Sequence, residues 1–118
     1  GVLIKDNHIA ACGSITAAVA RVRARGHQLL KIEVEVSDLR QVAEALSAGV
    51  DVIMLENMEN EAIRAAVKLI ARKALVEVSG EITRQRLAAL AETGVDIISM
   101  GALTHSAPVV DISMRIQS

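Results

Sequence analysis

The chain is 118 residues long, a length typical of one domain that buries about two-thirds of its unfolded surface, and we assign residues 1–118 to a single domain. It contains no Phe, Tyr or Trp and carries a formal net charge of −1, which excludes an aromatic stacking platform for single-stranded nucleic acid and a basic surface for nucleic acid or an anionic membrane. The one cysteine, Cys12, cannot form a disulfide within the chain, and we find neither a signal-peptide pattern nor an apolar run of membrane-spanning length. These features predict a cytoplasmic protein.

Short apolar runs rich in β-branched residues alternate with amphipathic segments along the whole chain. The runs predict five strands, at residues 2–5, 31–36, 51–55, 75–79 and 96–100. A polar loop is expected at residues 6–8. Helical spacing and capping residues predict four helices, lying between Ser14 and Gly26, from Ser37 or Asp38 to Gly49, over residues 61–72, and between Thr83 and Gly94. Residues 109–116 fit a short strand or a helix, and the alternation of apolar with polar residues favours the strand.

Two stretches of the sequence resemble each other, Gly49-Val-Asp-Val-Ile-Met-Leu55 and Gly94-Val-Asp-Ile-Ile-Ser-Met100. In both, a glycine that ends a helix precedes an acidic residue and an apolar strand. The similarity fits the duplication of a βα pair, and it fits equally a short αβ loop that selects the same residue types twice.

Strands that alternate with helices of this length predict βαβ units and a parallel sheet. Alternation at period 2 places polar side chains on one face of that sheet, namely Lys5, Lys31, Glu33, Glu35, Glu77, Ser79 and Ser99. In a flavodoxin-like open doubly wound sheet both faces lie under helices, so buried carboxylates would be costly unless they were paired. In a TIM-like barrel the inner face lines a lumen, with the active site at the mouth where the strands end. The charged face therefore favours five βα units of a half-barrel, with the flavodoxin-like sheet as the alternative.

Five blocks of sequence resemble the quinolinate phosphoribosyltransferases, also called nicotinate-nucleotide pyrophosphorylases (carboxylating), in order and in approximate spacing. The blocks are Ile4-Lys-Asp-Asn-His8, Lys31-Ile-Glu-Val-Glu-Val36, Ile53-Met-Leu-Glu-Asn57, Val78-Ser-Gly80 and Gly94-Val-Asp-Ile-Ile-Ser-Met-Gly-Ala-Leu103, and the likeness extends through Asp111-Ile-Ser-Met114. Enzymes of this family are glycosyltransferases of NAD and pyridine nucleotide biosynthesis. They transfer the phosphoribosyl group of phosphoribosyl pyrophosphate to quinolinate, giving nicotinate mononucleotide, pyrophosphate and CO₂.

The resemblance implies a Mg²⁺-dependent site at the carboxyl ends of the strands. It assigns Lys5, Glu35 and Glu56 to catalysis, with Lys5 meeting the anionic substrates and the two carboxylates meeting the ribose hydroxyls and the metal. The phosphate-binding residues that it implies are Lys5, Ser79, Gly80, Glu81, Gly101 and Ala102. General chemistry agrees, because nearby carboxylates stabilise an oxocarbenium-like transition state and N–H donors hold phosphate. His8 and His105 fit loop residues that form surface hydrogen bonds.

The chain departs from the family pattern in three respects. Glu56 stands where the family usually has Asp, and Glu81 adds a negative charge beside the phosphate turn. By this resemblance we expect the chain to lack the family's N-terminal domain and the preceding barrel segments, which bring most of the substrate-binding arginines. We therefore expect the isolated chain to be inactive. The alternative function is that of an excised or engineered half-barrel, a folding and assembly unit with at most residual phosphate binding, whose exposed sheet edges favour a homo-oligomer.

Overall fold

A computed structural model describes residues 1–101 and 112–116. Five strands form one parallel sheet, in the order in which they follow each other along the chain. They are β1 (Val2–Ile4), β2 (Ile32–Val36), β3 (Val52–Glu56), β4 (Leu75–Ser79) and β5 (Ile97–Ile98). The five predicted strands are confirmed, although β5 is shorter than its apolar run.

The helices are α1 (Asp6–Cys12), α2 (Ile15–Arg25), α3 (Leu39–Ala48), α4 (Asn60–Ile70) and α5 (Leu87–Ala91), with a 3₁₀ turn at Arg84–Arg86 before α5. Each strand is added to the sheet on the same side of the strand before it. Because connections between parallel strands are right-handed, the helices that form them then lie on one face of the sheet. A flavodoxin-like sheet instead adds strands on both sides of its first strand. The observed order excludes that alternative and is consistent with a partial barrel. None of the helices in the described residues has the length and apolar run that a membrane span needs.

The two faces of the sheet differ in burial. The face toward the helices is almost completely buried and consists of Ile4, Ile32, Val34, Val36, Ile53, Leu55, Val76 and Val78. On the opposite face Leu75 is 50% exposed, and Glu33, Glu35 and Glu77 are partly buried. The charged face is therefore accessible to solvent in the described residues, as the half-barrel interpretation predicts.

The polar stretch after β1 is helical, which corrects the loop predicted at residues 6–8. Helix α1 begins at Asp6, and Nδ1 of His8 accepts a hydrogen bond of 2.9 Å from the main-chain N–H of Lys5. A side chain that reaches back from the third helical residue satisfies an N–H group at the helix start, and here it needs a neutral imidazole. His8 is therefore a capping residue that fixes the backbone of Lys5 at the end of β1.

The predicted caps of two other helices are confirmed and a third is corrected. Oγ of Ser14 accepts the N–H of Ala17 at 3.0 Å at the start of α2, and Oδ1 of Asp38 accepts the N–H of Gln41 at 2.7 Å at the start of α3. Thr83 makes no side-chain cap, because the chain enters α5 through the 3₁₀ turn. The sequence pattern therefore predicts the cap correctly where the helix begins directly after the capping residue, and incorrectly where a 3₁₀ turn precedes the helix.

The two Gly-Val-Asp stretches have the same structural role. The N–H of Asp51 donates to the carbonyl of Ile32 at 2.9 Å, and its Oδ2 accepts the N–H of Ile32 at 2.9 Å. Asp96 makes the same pair of bonds with Val76, at 2.9 Å and 2.8 Å. Each aspartate thus begins the pairing of two neighbouring strands. This shared role explains why the same residues recur, and it does not require duplication of a βα pair.

The strand favoured at residues 109–116 is not found in its described part. Residues 112–116 form neither helix nor strand, and residues 109–111 lie outside the described residues. Asn7 holds this segment beside the end of β1, because its Nδ2 donates to the carbonyl of Met114 at 2.7 Å and its Oδ1 accepts the N–H of Ile116 at 3.0 Å. The segment thereby returns to the edge of the sheet where the strands end.

Candidate functional site

Charged and hydroxyl side chains meet at the edge of the sheet where the strands end. Glu35 lies next to the end of β2, while Glu56 and Ser79 end β3 and β4 and are paired across those strands. Lys5 follows β1 directly, and its Nζ lies 3.3 Å from a carboxylate oxygen of Glu35. The Lys5 side chain is 52% exposed and that of Glu35 17% exposed, so the ammonium group reaches solvent while the carboxylate is largely enclosed. Lys5, Glu35, Glu56 and Ser79 thus present an ammonium group, two carboxylates and a hydroxyl to a ligand at this edge.

A cavity of about 290 Å³ opens between these carboxylates, and its walls include Asp6, Glu35, Glu56, Asn57 and Arg115. Larger depressions of about 410 Å³ and 970 Å³ open at the opposite edge, where the strands begin. The aspartates that line those depressions already accept main-chain N–H groups of the strands. The smaller cavity is the better candidate site, because its carboxylates are not used to start the pairing of strands.

The environment of Glu56 raises the pKa of its carboxyl group. Burial raises the pKa of Glu56 above its ordinary value, and the charge of Glu35 raises this pKa further. The hydroxyl of Ser79 and the ammonium of Lys5 lower the same pKa and oppose these effects. A ligand that brings positive charge into the cavity would stabilise both carboxylates in their ionised form. The pair is therefore suited to a cation or to a substrate that develops positive charge.

Asn57 joins the loop after β3 to the turn after β4. It adopts a left-handed backbone conformation with φ 51°, and its N–H donates to the carbonyl of Ser79 at 3.2 Å. Its side-chain Oδ1 accepts the N–H of Glu81 at 3.1 Å, and its Nδ2 donates to Oε1 of Glu56 at 3.2 Å. Gly80 has φ +114°, and a Cβ atom added there would overlap Oδ1 of Asn57. Glycine at position 80 is therefore required by the Asn57 amide.

The side chains at this edge of the sheet can be compared with the ligands that Mg²⁺ requires. Among the described residues, no group of three or more His, Cys, Asp or Glu side chains is arranged to hold a metal ion. Glu35 and Glu56 provide oxygen ligands, which Mg²⁺ prefers, and Mg²⁺ is commonly held by one or two carboxylates together with substrate phosphates. Glu35 and Glu56 are therefore the type of ligand that Mg²⁺ accepts.

Comparison with models of protein families identifies the family to which the chain belongs. The model described as quinolinate phosphoribosyl transferase, C-terminal domain, matches residues 1–115. The chain belongs to this family. The match confirms the resemblance carried by the five sequence blocks.

Relatives of known sequence and structure agree with membership in the phosphoribosyltransferase family. The chain is 46% identical over 116 residues to the probable nicotinate-nucleotide pyrophosphorylase (carboxylating) of Bacillus subtilis, covering 98% of this chain and 40% of the relative. The crystal structure of nicotinate-nucleotide pyrophosphorylase from Ehrlichia chaffeensis superposes with a TM-score of 0.86 at 46% identity, covering 90% of this chain and 38% of that chain. The corresponding protein from Francisella tularensis gives a TM-score of 0.84 at 41% identity, covering 88% and 37%. The chain thus spans about 40% of the length of the curated relatives that it matches.

Most residues that the family resemblance implies for the site lie at one edge of the sheet. Lys5, Glu35, Glu56, Ser79 and Gly80 are brought together there, and their binding of substrate stays a prediction. The N–H of Glu81 is already bonded to Asn57, and the Glu81 residue is exposed. Gly101 is exposed after β5, whereas Ala102 and His105 lie outside the described residues.

Asp6, Asn57 and Arg115 line the cavity, and the sequence analysis predicted a site role for none of them. Asn57 stands in a block that matches the family, but only Glu56 was given a role there. The usable signal was the residue type, because Asn is enriched at left-handed backbone positions at the ends of elements. Arg115 had no local signal, since its place at the cavity depends on the bonds from Asn7 to Met114 and Ile116.

A second pair of carboxyl groups lies deeper on the open face. Oε1 of Glu33 is buried and has no hydrogen-bond partner within the described residues. Burial, followed by the charge and hydrogen bond of Glu77, raises the pKa of Glu33, and Glu77 accepts the hydroxyl of Ser99 at 2.5 Å. Lys31, which the alternation assigns to the same face, forms an ion pair with Asp51 at 2.6 Å. Glu33 therefore lies beside another carboxyl group on the open face.

Replacing Glu33 with glutamine is expected to stabilise the domain at neutral and basic pH. Because the folded state raises the pKa of Glu33, this residue contributes stability below its unfolded pKa, about 4.3, and loses that contribution as the pH rises through its folded pKa. The E33Q side chain keeps the size and a donor for Glu77 without the charge. We expect the free energy of unfolding to rise by on the order of 0.5–1 kcal/mol at pH 8, after allowance for solvent screening, and the gain to vanish near pH 4.

Urea denaturation at the two pH values measures this difference. Glu92→Gln is the control, because Glu92 is exposed and should change the unfolding free energy little at either pH. An E33Q variant that is no more stable than the wild type at pH 8 would contradict the prediction.

Proposed function

We propose that this chain forms the phosphoribosyl-binding part of a quinolinate phosphoribosyltransferase active site. The supporting observation is the meeting of Lys5, Glu35, Glu56 and Ser79 at the ends of four neighbouring strands, with the Lys5–Glu35 ion pair at 3.3 Å. In the family reaction, the bond between ribose C1 and pyrophosphate breaks and a bond forms from C1 to the nitrogen of quinolinate, with loss of CO₂. Such a substrate needs a cation for phosphate oxygens and carboxylates near C1.

Each side chain has a role that follows from its charge. Positive charge develops on the ribose ring as pyrophosphate leaves, and carboxylates fixed beside it stabilise that charge. Glu35 and Glu56 line one cavity and accept hydrogen bonds from ribose hydroxyls there. The exposed ammonium of Lys5 binds the anionic groups of the substrates. The main chain of Gly80 donates to the 5′-phosphate, and the hydroxyl of Ser79 does so in place of its hydrogen bond to Glu56. The N–H of Glu81 is already used by Asn57.

Mg²⁺ belongs to this proposal as the cofactor. When bound, it would neutralise the leaving pyrophosphate, with Glu35 and Glu56 as its protein ligands. The raised pKa of Glu56 supports the assignment. The charge of Glu35 contributes to this increase, and a bound cation would offset the repulsion between the two carboxylates.

The chain alone is expected to bind the phosphoribosyl group but not to complete the reaction. Quinolinate has two carboxylates and phosphoribosyl pyrophosphate has two phosphate-bearing groups, while the described residues place Lys5 and Arg115 as cations at this edge of the sheet. Buried or enclosed anions without paired cations bind poorly. We therefore expect no nicotinate mononucleotide above background when the chain is incubated with quinolinate, phosphoribosyl pyrophosphate and Mg²⁺.

Two measurements test the proposal separately. Product formation tests inactivity, and turnover above background would overturn it. Titration with ribose 5-phosphate, followed by the ¹H–¹⁵N signals of Ser79 and Gly80, tests the half-site. Signals that stay unchanged at millimolar ribose 5-phosphate would overturn the proposed binding function.

We also propose that the chain self-associates through its sheet. Within the described residues, β1 and β5 each pair on one side only, and unpaired strand edges are templates for pairing with another chain. Leu75 and Ile97 on the open face are 50% and 38% exposed, so association would also bury apolar surface. Light scattering over a range of concentrations is expected to show dimers or larger species, and a monomer at every concentration would contradict the proposal.

A cytoplasmic location is part of the same proposal. Cys12 is a free thiol, and the sequence contains no second cysteine with which it would form an internal disulfide. A single unpaired thiol is typical of proteins in a reducing compartment.

A further inference from the structure

Asn57 continues the pairing of β3 and β4 with its side chain. In a parallel ladder, N–H groups of alternate residues bond to carbonyls of the neighbouring strand. The N–H of Asn57 donates to the carbonyl of Ser79 at 3.2 Å, so the next rung would run from the N–H of Glu81 to the main-chain carbonyl of Asn57. The left-handed φ of 51° turns the Asn57 backbone away, and Oδ1 accepts the N–H of Glu81 at 3.1 Å. The side-chain oxygen of Asn57 therefore takes the place of its main-chain carbonyl as the acceptor of this one ladder hydrogen bond.

That bond fixes the direction of the other end of the amide. With Oδ1 directed at an N–H donor, Nδ2 is directed at Oε1 of Glu56 and donates to it at 3.2 Å. A flipped amide would place Nδ2 against the N–H of Glu81 and Oδ1 against a carboxylate, and both contacts would be repulsive. Asn57 thus restrains the Glu56 carboxylate through a group that is itself held by the turn after β4.

The neighbouring sequence accommodates this contact. Asn tolerates a left-handed backbone better than other residues except glycine, and Gly80 leaves the space that Oδ1 of Asn57 occupies. An alanine at position 57 would provide neither hydrogen bond, and any side chain at position 80 would displace the amide. Asn at position 57 and Gly at position 80, which lie on different loops, are therefore both needed for this contact.

We infer that Asn57 is a positioning residue of the phosphoribosyl site: it sets the carboxylate of Glu56 and the turn of Ser79, Gly80 and Glu81 at one fixed separation. This inference rests on the proposed function, in which Glu56 meets the ribose and the turn meets the 5′-phosphate. Since ribose and its 5′-phosphate are joined by a short linker, a fixed separation of their protein partners favours binding both at once. The glutamate at position 56 takes part in this contact through its Oε1.

Three variants of the full chain test the inference. Asn57→Gly keeps a left-handed backbone accessible and removes both hydrogen bonds. Asn57→Asp keeps an acceptor for the N–H of Glu81 but places a second carboxylate beside Glu56. Asn60→Ala is the matched control, because Asn60 lies nearby and its amide oxygen accepts from Arg86 at 3.1 Å and not from the site.

We expect the variants to separate the two contacts. Hydrogen exchange at the Glu81 amide should accelerate about fivefold or more in Asn57→Gly, as loss of one hydrogen bond predicts, and should stay near the wild-type rate in Asn57→Asp. The Glu56 carboxyl, followed by ¹³C NMR, should titrate at higher pH in both variants. Ribose 5-phosphate affinity should fall about tenfold in both, and Asn60→Ala should change none of the three readouts.

Each contrary outcome has a definite meaning. If Glu81 exchange and Glu56 titration match the wild type in Asn57→Gly, Asn57 does not hold either group and the inference is overturned. If both readouts change while ribose 5-phosphate affinity does not, Asn57 has a structural role only, and the inference is again overturned. If the wild type binds no ribose 5-phosphate, the proposed function fails, and the exchange and titration data still decide whether Asn57 links Glu56 to the turn. If Asn57→Gly does not fold, Asn57→Asp carries the titration and affinity tests.

Discussion

Replacing Gly80 with alanine is expected to lower the free energy of unfolding by about 3 kcal/mol. Two costs add: Gly80 has φ +114°, where an L side chain is strained, and its Cβ atom would overlap Oδ1 of Asn57 and lie 3.0 Å from the main-chain nitrogen of Asn57. Because Asn57 is anchored to Ser79 by its own N–H, it cannot move away without breaking the end of the β3–β4 ladder. Urea denaturation followed by far-UV circular dichroism measures the loss.

Gly13→Ala is the matched control for this substitution. Gly13 has φ +88°, but a Cβ atom added there meets nothing within 4 Å. The control therefore shows the cost of the left-handed backbone alone, about 1 kcal/mol. The difference between the two variants measures the overlap with Asn57, and equal losses in both would show that the Asn57–Gly80 contact does not constrain position 80.

Replacing Lys5 with methionine is expected to weaken binding of ribose 5-phosphate about 30-fold. Methionine keeps much of the apolar stem and removes the charge, and a hydrogen bond to a charged group contributes about 2 kcal/mol. The same change leaves Glu35 without its ion-pair partner at 3.3 Å. Since Lys5 also lowers the pKa of Glu56 and of Glu33, both carboxyl groups should titrate at higher pH in the K5M variant.

Isothermal calorimetry and ¹³C NMR titration measure these two effects in one protein. Lys73→Met is the control, because Lys73 is an exposed lysine at the edge where the strands begin. Neither binding nor the pKa values at the other edge should change in that variant. A K5M protein that binds ribose 5-phosphate as the wild type does would exclude Lys5 from the phosphate site.

The strand at residues 31–36 shows how far the sequence predicts the site. Its alternation assigns Val34 to the buried face and Glu35 to the open face, and both assignments are confirmed, because side chains of a strand point to opposite faces regardless of its neighbours. The same alternation did not predict that the ammonium of Lys31 binds Asp51. Lys31 precedes the observed strand, so the alternation no longer fixes its direction. Its partner depends on which strand lies alongside.

The N-terminal end of α1 shows why one element was missed. Residues 6–8 are polar and short, and polar residues after a strand are typical of a loop. They form a helix whose first N–H groups find partners, including Nδ1 of His8 for the N–H of Lys5. A single histidine in that position carries no clear sequence signal for a cap. The candidate site depends on this local detail, because it fixes Lys5 beside Glu35.

The amino-acid sequence alone predicts the positions of the strands, the faces on which their side chains lie and, through its five blocks, membership in the phosphoribosyltransferase family. These are properties of local geometry and of residue types in order, which do not depend on distant contacts. The sequential order of the strands and the link that Asn57 makes between Glu56 and the turn at Gly80 are visible only in the folded chain. Both depend on hydrogen bonds between segments far apart in the chain, and period-2 alternation is the same in every arrangement of the strands.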